Sequence, residues 1–221
     1  MKQKLSKTRA RCVKKFLYYF PKGFNGQKYI DWERDYKWQA HLSWCEALDK
    51  KEFKALLEKE EFEEIVGKAV RIESRTNLLF SFEKMALRDG IKGVGAELFA
   101  KGLYQYVYGS GAISKRFQAF SETLASLPRK QTRVLTWPLQ TVFSFIAKPN
   151  EFIFLKPRVT QLAAKKYDFD FIYKSKPNWE TYQSYLDFAE RVRMDIAWLK
   201  PRDMIDVQSF IWVLGSEEYP D

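Results

Sequence analysis

The sequence predicts a predominantly α-helical protein with a minor β-hairpin, an α or α+β fold in a single domain of 221 residues. Three observations carry this expectation. Apolar residues recur at three- and four-residue spacing over most of the chain, as on one face of a helix. Cap residues, prolines and glycines punctuate those runs. Only 141–155 is dense in aromatic and β-favouring residues, around a central Lys148-Pro149-Asn150. With 46% apolar and 30% charged residues the composition is that of a globular chain and excludes a disordered one.

In chain order, 4–20 reads as a basic amphipathic helix with Val13, Phe16, Leu17 and Phe20 on its apolar side. Pro21, Gly23, Asn25 and Gly26 break it. A second helix covers 36–48, and a third begins at Asp49, whose carboxylate is placed to cap it ahead of Glu52. The segment 61–89 reads as strongly helical, with Ile65, Ala69, Ile72, Leu79, Phe82 and Leu87 apolar. Helices then follow over 96–108 and 113–126. The hairpin is expected to pair 141–147 with 151–155; buried irregular structure is the alternative, since the apolar residues do not alternate cleanly. A helix over 159–167 and a short strand over 168–173 come next. Asn178 caps a long helix through Leu199, and Pro201 starts the last one. The organisation is a basic arm or helix over 1–30 and a helical body over 31–221. A subdomain boundary near 128–131 is a candidate, and one compact unit is preferred.

Charge is the strongest functional signal. Nine Lys or Arg and no acid fall in the first 28 residues, so of the formal +10 only +1 is left for the other 193. Lys7, Arg9, Arg11, Lys14 and Lys15 are the candidate phosphate contacts, because such a cluster attracts polyanions and weakens as salt rises. DNA or RNA is the expected partner, ahead of an acidic protein or an anionic membrane surface; a merely solvated tail is the plain alternative. Arg71 and Arg75 stand one helical turn apart, where they can grip a phosphate or pair with neighbouring acids. Lys156 and Arg158, about Pro157, are the last candidate nucleic-acid contacts; Lys200 and Arg202, about Pro201, repeat the pattern.

Other constellations are weaker. Glu83-Lys84 has the acid–lysine pairing of metal-dependent nucleases, but on a helix rather than a strand. Asp168, Asp170, Asp203 and Asp206 would reach a magnesium ion only if the fold converged them; capping and solvation explain them more simply. His41, the sole histidine, reads as a packed residue beside Trp38 and Trp44, and with two distant cysteines it builds no zinc site. No cofactor motif occurs. Cys12 and Cys45 read as free thiols of a reducing compartment. No run reaches the roughly 20 apolar residues that cross a bilayer, so a cytoplasmic location is expected.

Four segments carry a resemblance: 72–89, which includes Asn77-Leu78-Leu79-Phe80-Ser81-Phe82-Glu83-Lys84; Phe154-Leu155-Lys156-Pro157; 176–182, with Lys176-Pro177-Asn178-Trp179; and 201–212, with Pro201-Arg202-Asp203-Met204. The chain resembles a family of uncharacterised bacterial proteins with no established reaction. The resemblance implies one coherent domain and assigns no site residue. The sequence thus favours a nucleic-acid-associated binding protein. A metal-dependent hydrolase or nuclease, and an adaptor for an acidic protein, are the alternatives.

Overall fold

The computed structural model describes residues 5–128 and 133–221. The basic residues Lys2 and Lys4, and the candidate boundary near 128–131 beyond Pro128, lie outside them. The elements in order are α1 (Lys7–Tyr19), a 3₁₀ turn (Gly23–Asn25) and α2 (Gln27–Tyr29). A π-helical turn (Ile30–Arg34) then leads into α3 (Asp35–Ala47). The middle of the chain is α4 (Lys50–Glu58), α5 (Phe62–Ser74), α6 (Ser81–Gly90), α7 (Val94–Tyr108) and α8 (Ile113–Ser126). The last part is α9 (Trp137–Ala147), α10 (Pro157–Lys166), α11 (Trp179–Asp195), a 3₁₀ turn (Ala197–Leu199) and α12 (Met204–Gly215).

Several boundaries follow the side-chain chemistry read from the sequence. Asp49 accepts from the Glu52 N–H at 2.7 Å and Asn178 from Thr181 at 2.9 Å, satisfying first-turn donors that have no helical partner. Pro157 opens α10, where its missing N–H is not needed.

The hairpin does not form; among the described residues there is no strand. Residues 141–147 belong to α9, every residue of which is buried. A helix covered on all sides has no polar face, and so loses the period by which a sequence announces it. Thr136 caps it, accepting from Leu139. The facing segment 152–156 is extended but paired with no neighbour. Its polar backbone is satisfied by side chains: Tyr182 Oη donates to Ile153 O and accepts from Ile153 N, both at 3.1 Å. Tyr185 donates to Phe154 O, and Thr141 accepts from Leu155 N. Three hydroxyls thus do what a second strand would do. The strand expected over 168–173 is likewise unpaired, with Ser184 and Thr181 accepting from Ile172 N and Lys174 N.

Three boundaries also differ. The run 61–89 is broken over 75–80, where Thr76 Oγ1 and N–H both donate to Glu73 O and Glu83 accepts from the Phe80 N–H at 2.8 Å. α11 stops at Asp195 and the following turn ends on Lys200, which is left-handed at φ 57. α12 starts at Met204 rather than Pro201, because Asp203 accepts from the Ile205 and Asp206 N–H groups.

The hydrophobic core runs through the described residues. Phe16 of α1 is fully buried, its ring 5.0 Å from Phe24 and 5.1 Å from Phe210 of α12. Gly215 lets α12 reach α10: a Cβ there would overlap the Val159 carbonyl. A second anchor is ionic. Arg34 donates to Asp203 at 2.7 and 2.9 Å and to Asp206 at 2.8 Å, and Asp206 also accepts from Tyr29 and Arg202. The pairing holds the Arg34 pKa above its usual value despite the opposing effect of burial.

Candidate functional site

α1 is a docked helix. Cys12, Val13 and Phe16 face inward, while Lys7, Arg11, Lys14 and Tyr18 are exposed at spacings of four, three and four residues, which places them along one stripe. Lys7, Arg11 and Lys14 have no ion-pair partner among the described residues. Tyr18, 79% exposed, ends the stripe. From Lys7 to Lys14 the helix rises roughly 10 Å, comparable to three nucleotides of duplex axis.

Arg9 and Lys15 are flanking and neutralised. Arg9 pairs with Asp195 at 3.3 Å. Lys15 and Lys166 each reach one oxygen of Asp221 at 2.6 Å, holding that carboxyl below its usual range. Burial pushes the Lys15 pKa down even so. An open groove of about 840 Å³ runs beside the helix between Arg11, Lys14, Lys15, Lys166 and Asp221.

The other sequence candidates are not part of this groove. Arg71 and Arg75 are exposed, without an ion-pair partner among the described residues. Glu73 between them turns inward to Lys84 at 3.4 Å, so the expected rim pairing goes to Lys84 and not to the arginines. Burial raises the Glu73 pKa against the pull of that lysine. Arg158 is exposed and meets Glu217 at 2.6 Å. Lys156 points into the protein. Its ammonium donates to Leu78 O at 3.1 Å and Glu83 at 3.3 Å, and stands 3.5 Å from the centre of the Phe80 ring. Burial lowers its pKa, opposed by Glu83. Segments 71–89 and 154–158 therefore meet at Lys156, whereas Asp203 and Asp206 are engaged by Arg34.

Between these elements lies a cavity of about 380 Å³ that no sequence motif announced. The π-helical turn supplies Trp32 and Glu33, α3 supplies Lys37, and α12 supplies Gln208 and Trp212. Lys37 is buried, donating to Glu33 at 3.1 Å and Ser209 at 2.9 Å, while Tyr219 donates to the other Glu33 oxygen at 2.6 Å. Burial opposes the Lys37 charge, but Tyr36 and Glu33 outweigh it and its pKa is raised. Gln208 is 3% exposed and its Oε1 has no hydrogen-bond partner among the described residues. A larger cavity of about 600 Å³ adjoins, sharing Phe80, Lys156, Trp212 and Glu218, and carries Arg133 and Arg158. The usable signals were the i,i+4 pair Glu33/Lys37 and the polar Gln208 within a mostly apolar helix.

His41 Nδ1 donates to Ile146 O, 2.8 Å away, beside the Trp38 ring. Among the described residues no group of three His, Cys, Asp or Glu side chains is placed to hold a metal, and no helix is long and apolar enough to cross a membrane. No family model matches the chain, and neither a curated protein nor a solved structure matches it.

Proposed function

We propose that this protein binds nucleic acid through the exposed face of α1. The observation that carries the reading is the unpaired stripe Lys7–Arg11–Lys14, presented on a helix whose other face is packed into the core. Cations already paired in the fold gain little from a phosphate, because a favourable contact must first be broken. Free ones release counterions from the nucleic acid at no such cost. Tyr18 at the end of the stripe adds an exposed ring on which a base can stack.

Phosphate contacts of this kind position a strand without reading its sequence. The expected behaviour is salt-sensitive binding with weak sequence preference. Fluorescence anisotropy with labelled single- and double-stranded oligonucleotides tests it. Failure of both to bind in a salt-dependent way refutes the reading. Lys156 has no part in it, its ammonium being spent on Leu78, Glu83 and Phe80.

A further inference from the structure

We propose a second site of different chemistry: the cavity between the π-helical turn, α3 and α12 binds one purine or pyrimidine base, whose edge hydrogen-bonds the side-chain amide of Gln208. The inference begins with that amide, whose Oε1 finds no donor among the described residues. A buried acceptor left unpaired costs the free energy of its lost hydration, and native interiors rarely tolerate one. Gln208 lines the cavity, so the edge of a bound ring is the natural partner of its amide.

The remaining walls say what kind of donor. The two lysines are consumed internally, Lys37 by Glu33 and Ser209, Lys156 by Glu83 and Leu78 O. The cavity therefore holds no free cation for a carboxylate or a phosphate. What it offers is aromatic surface from Trp32, Tyr36, Phe80 and Trp212, together with the amide of Asn77. Trp212 lines both cavities, half-buried, its Nε1 donating to Glu218 at 3.1 Å, and makes no ring–ring or cation contact among the described residues. A neutral flat ring with hydrogen-bonding groups confined to its edge fits such walls, and a nucleobase is that ring. About 380 Å³ holds one base, and lies within the usual range of ligand pockets.

The adjoining cavity takes the rest of a nucleotide. It opens from the first across Phe80, Lys156 and Trp212 and brings Arg133 to where a sugar phosphate would emerge, Arg158 on the same wall being paired with Glu217. The wall at Trp32 and Glu33 is built from a π-turn, a rare helical irregularity that re-aims side chains and recurs at binding sites. The base can belong to a free nucleotide or to a strand from which it is turned out.

The test is calorimetric titration of the full chain with adenosine, guanosine, cytidine and uridine monophosphates, alongside a single-stranded oligonucleotide carrying one 2-aminopurine. A base in the cavity gives saturable binding of at least one mononucleotide, or quenching of 2-aminopurine on the strand; the first identifies a free ligand, the second a turned-out base. Gln208→Leu removes the amide without leaving a new polar orphan and should weaken whichever is observed roughly tenfold. Trp212→Ala should weaken it by at least about fivefold through lost stacking. Neither mononucleotide binding nor quenching, or binding that Gln208→Leu leaves unchanged, overturns the proposal. The inference does not rest on α1: combined Lys7→Gln, Arg11→Gln and Lys14→Gln should leave mononucleotide binding intact, so the two readings fail separately.

Discussion

Replacing the three free cations of α1 together, Lys7→Gln, Arg11→Gln and Lys14→Gln, is the sharpest test of the nucleic-acid reading. Each phosphate neutralised contributes a slope of about −0.9 in log affinity against log salt for duplex and about −0.7 for single strands. Three free cations therefore give about −2.7 and about −2.1. Raising salt from about 50 to about 200 mM should then weaken wild-type binding roughly 40-fold on duplex and roughly 20-fold on a single strand. The triple variant should lose most of that dependence. All three side chains are exposed, so stability should stay within about 0.5 kcal/mol of wild type. The paired cations supply an internal control in the opposite direction. Asp221→Asn frees Lys15 and Lys166 and should steepen the slope by up to about 1.4 to 1.8 if the strand follows the groove. Anisotropy titrations at four or five salt concentrations measure both. A wild-type slope shallower than about −1, or a triple variant that keeps the wild-type slope, refutes the reasoning.

Three further outcomes test the fold that presents these sites. Phe16→Ala should cost about 3 to 5 kcal/mol in chemical denaturation, because the ring is fully buried against Phe24 and Phe210. Asp206→Ala leaves Arg34 on Asp203 alone and takes the acceptor from the buried Tyr29 hydroxyl; it should cost about 1 to 3 kcal/mol by the same measurement, more than breaking an exposed pair such as Arg158–Glu217. Glu73 has a raised folded-state pKa, so between the ordinary glutamate value and that raised value the folded protein holds more protons than the unfolded chain. Stability should fall as pH rises through this window, and thermal melts at successive pH values should show the decline absent in Glu73→Gln.

Much of the helical framework was legible in the sequence, and the reason is local. Asp49, Asn178 and Pro157 act on donors within three residues of themselves, so their effect needs no knowledge of the fold. The period of α1 was equally readable, because one of its faces is wet and the other is not. α9 was not readable in that way, since burial on all sides removes the contrast that a period requires. The segment 152–156 misled for a related reason. Its residues favour strands, but the groups that satisfy its backbone, Tyr182, Tyr185 and Thr141, come from elsewhere in the chain.

Charge divides along the same line. The sequence alone determined that the first 28 residues are strongly basic, because charge is a property of composition. Only tertiary structure decided which cations are free. Arg9 and Lys15 lose their independence to Asp195 and Asp221, and Lys156 to Glu83, across separations of 73 to 206 residues. Lys7, Arg11 and Lys14 keep theirs because the helix turns them to solvent. The cavity at Gln208 depends wholly on that long-range assembly: residues from 32 to 219 surround it, and no local pattern could have placed them together.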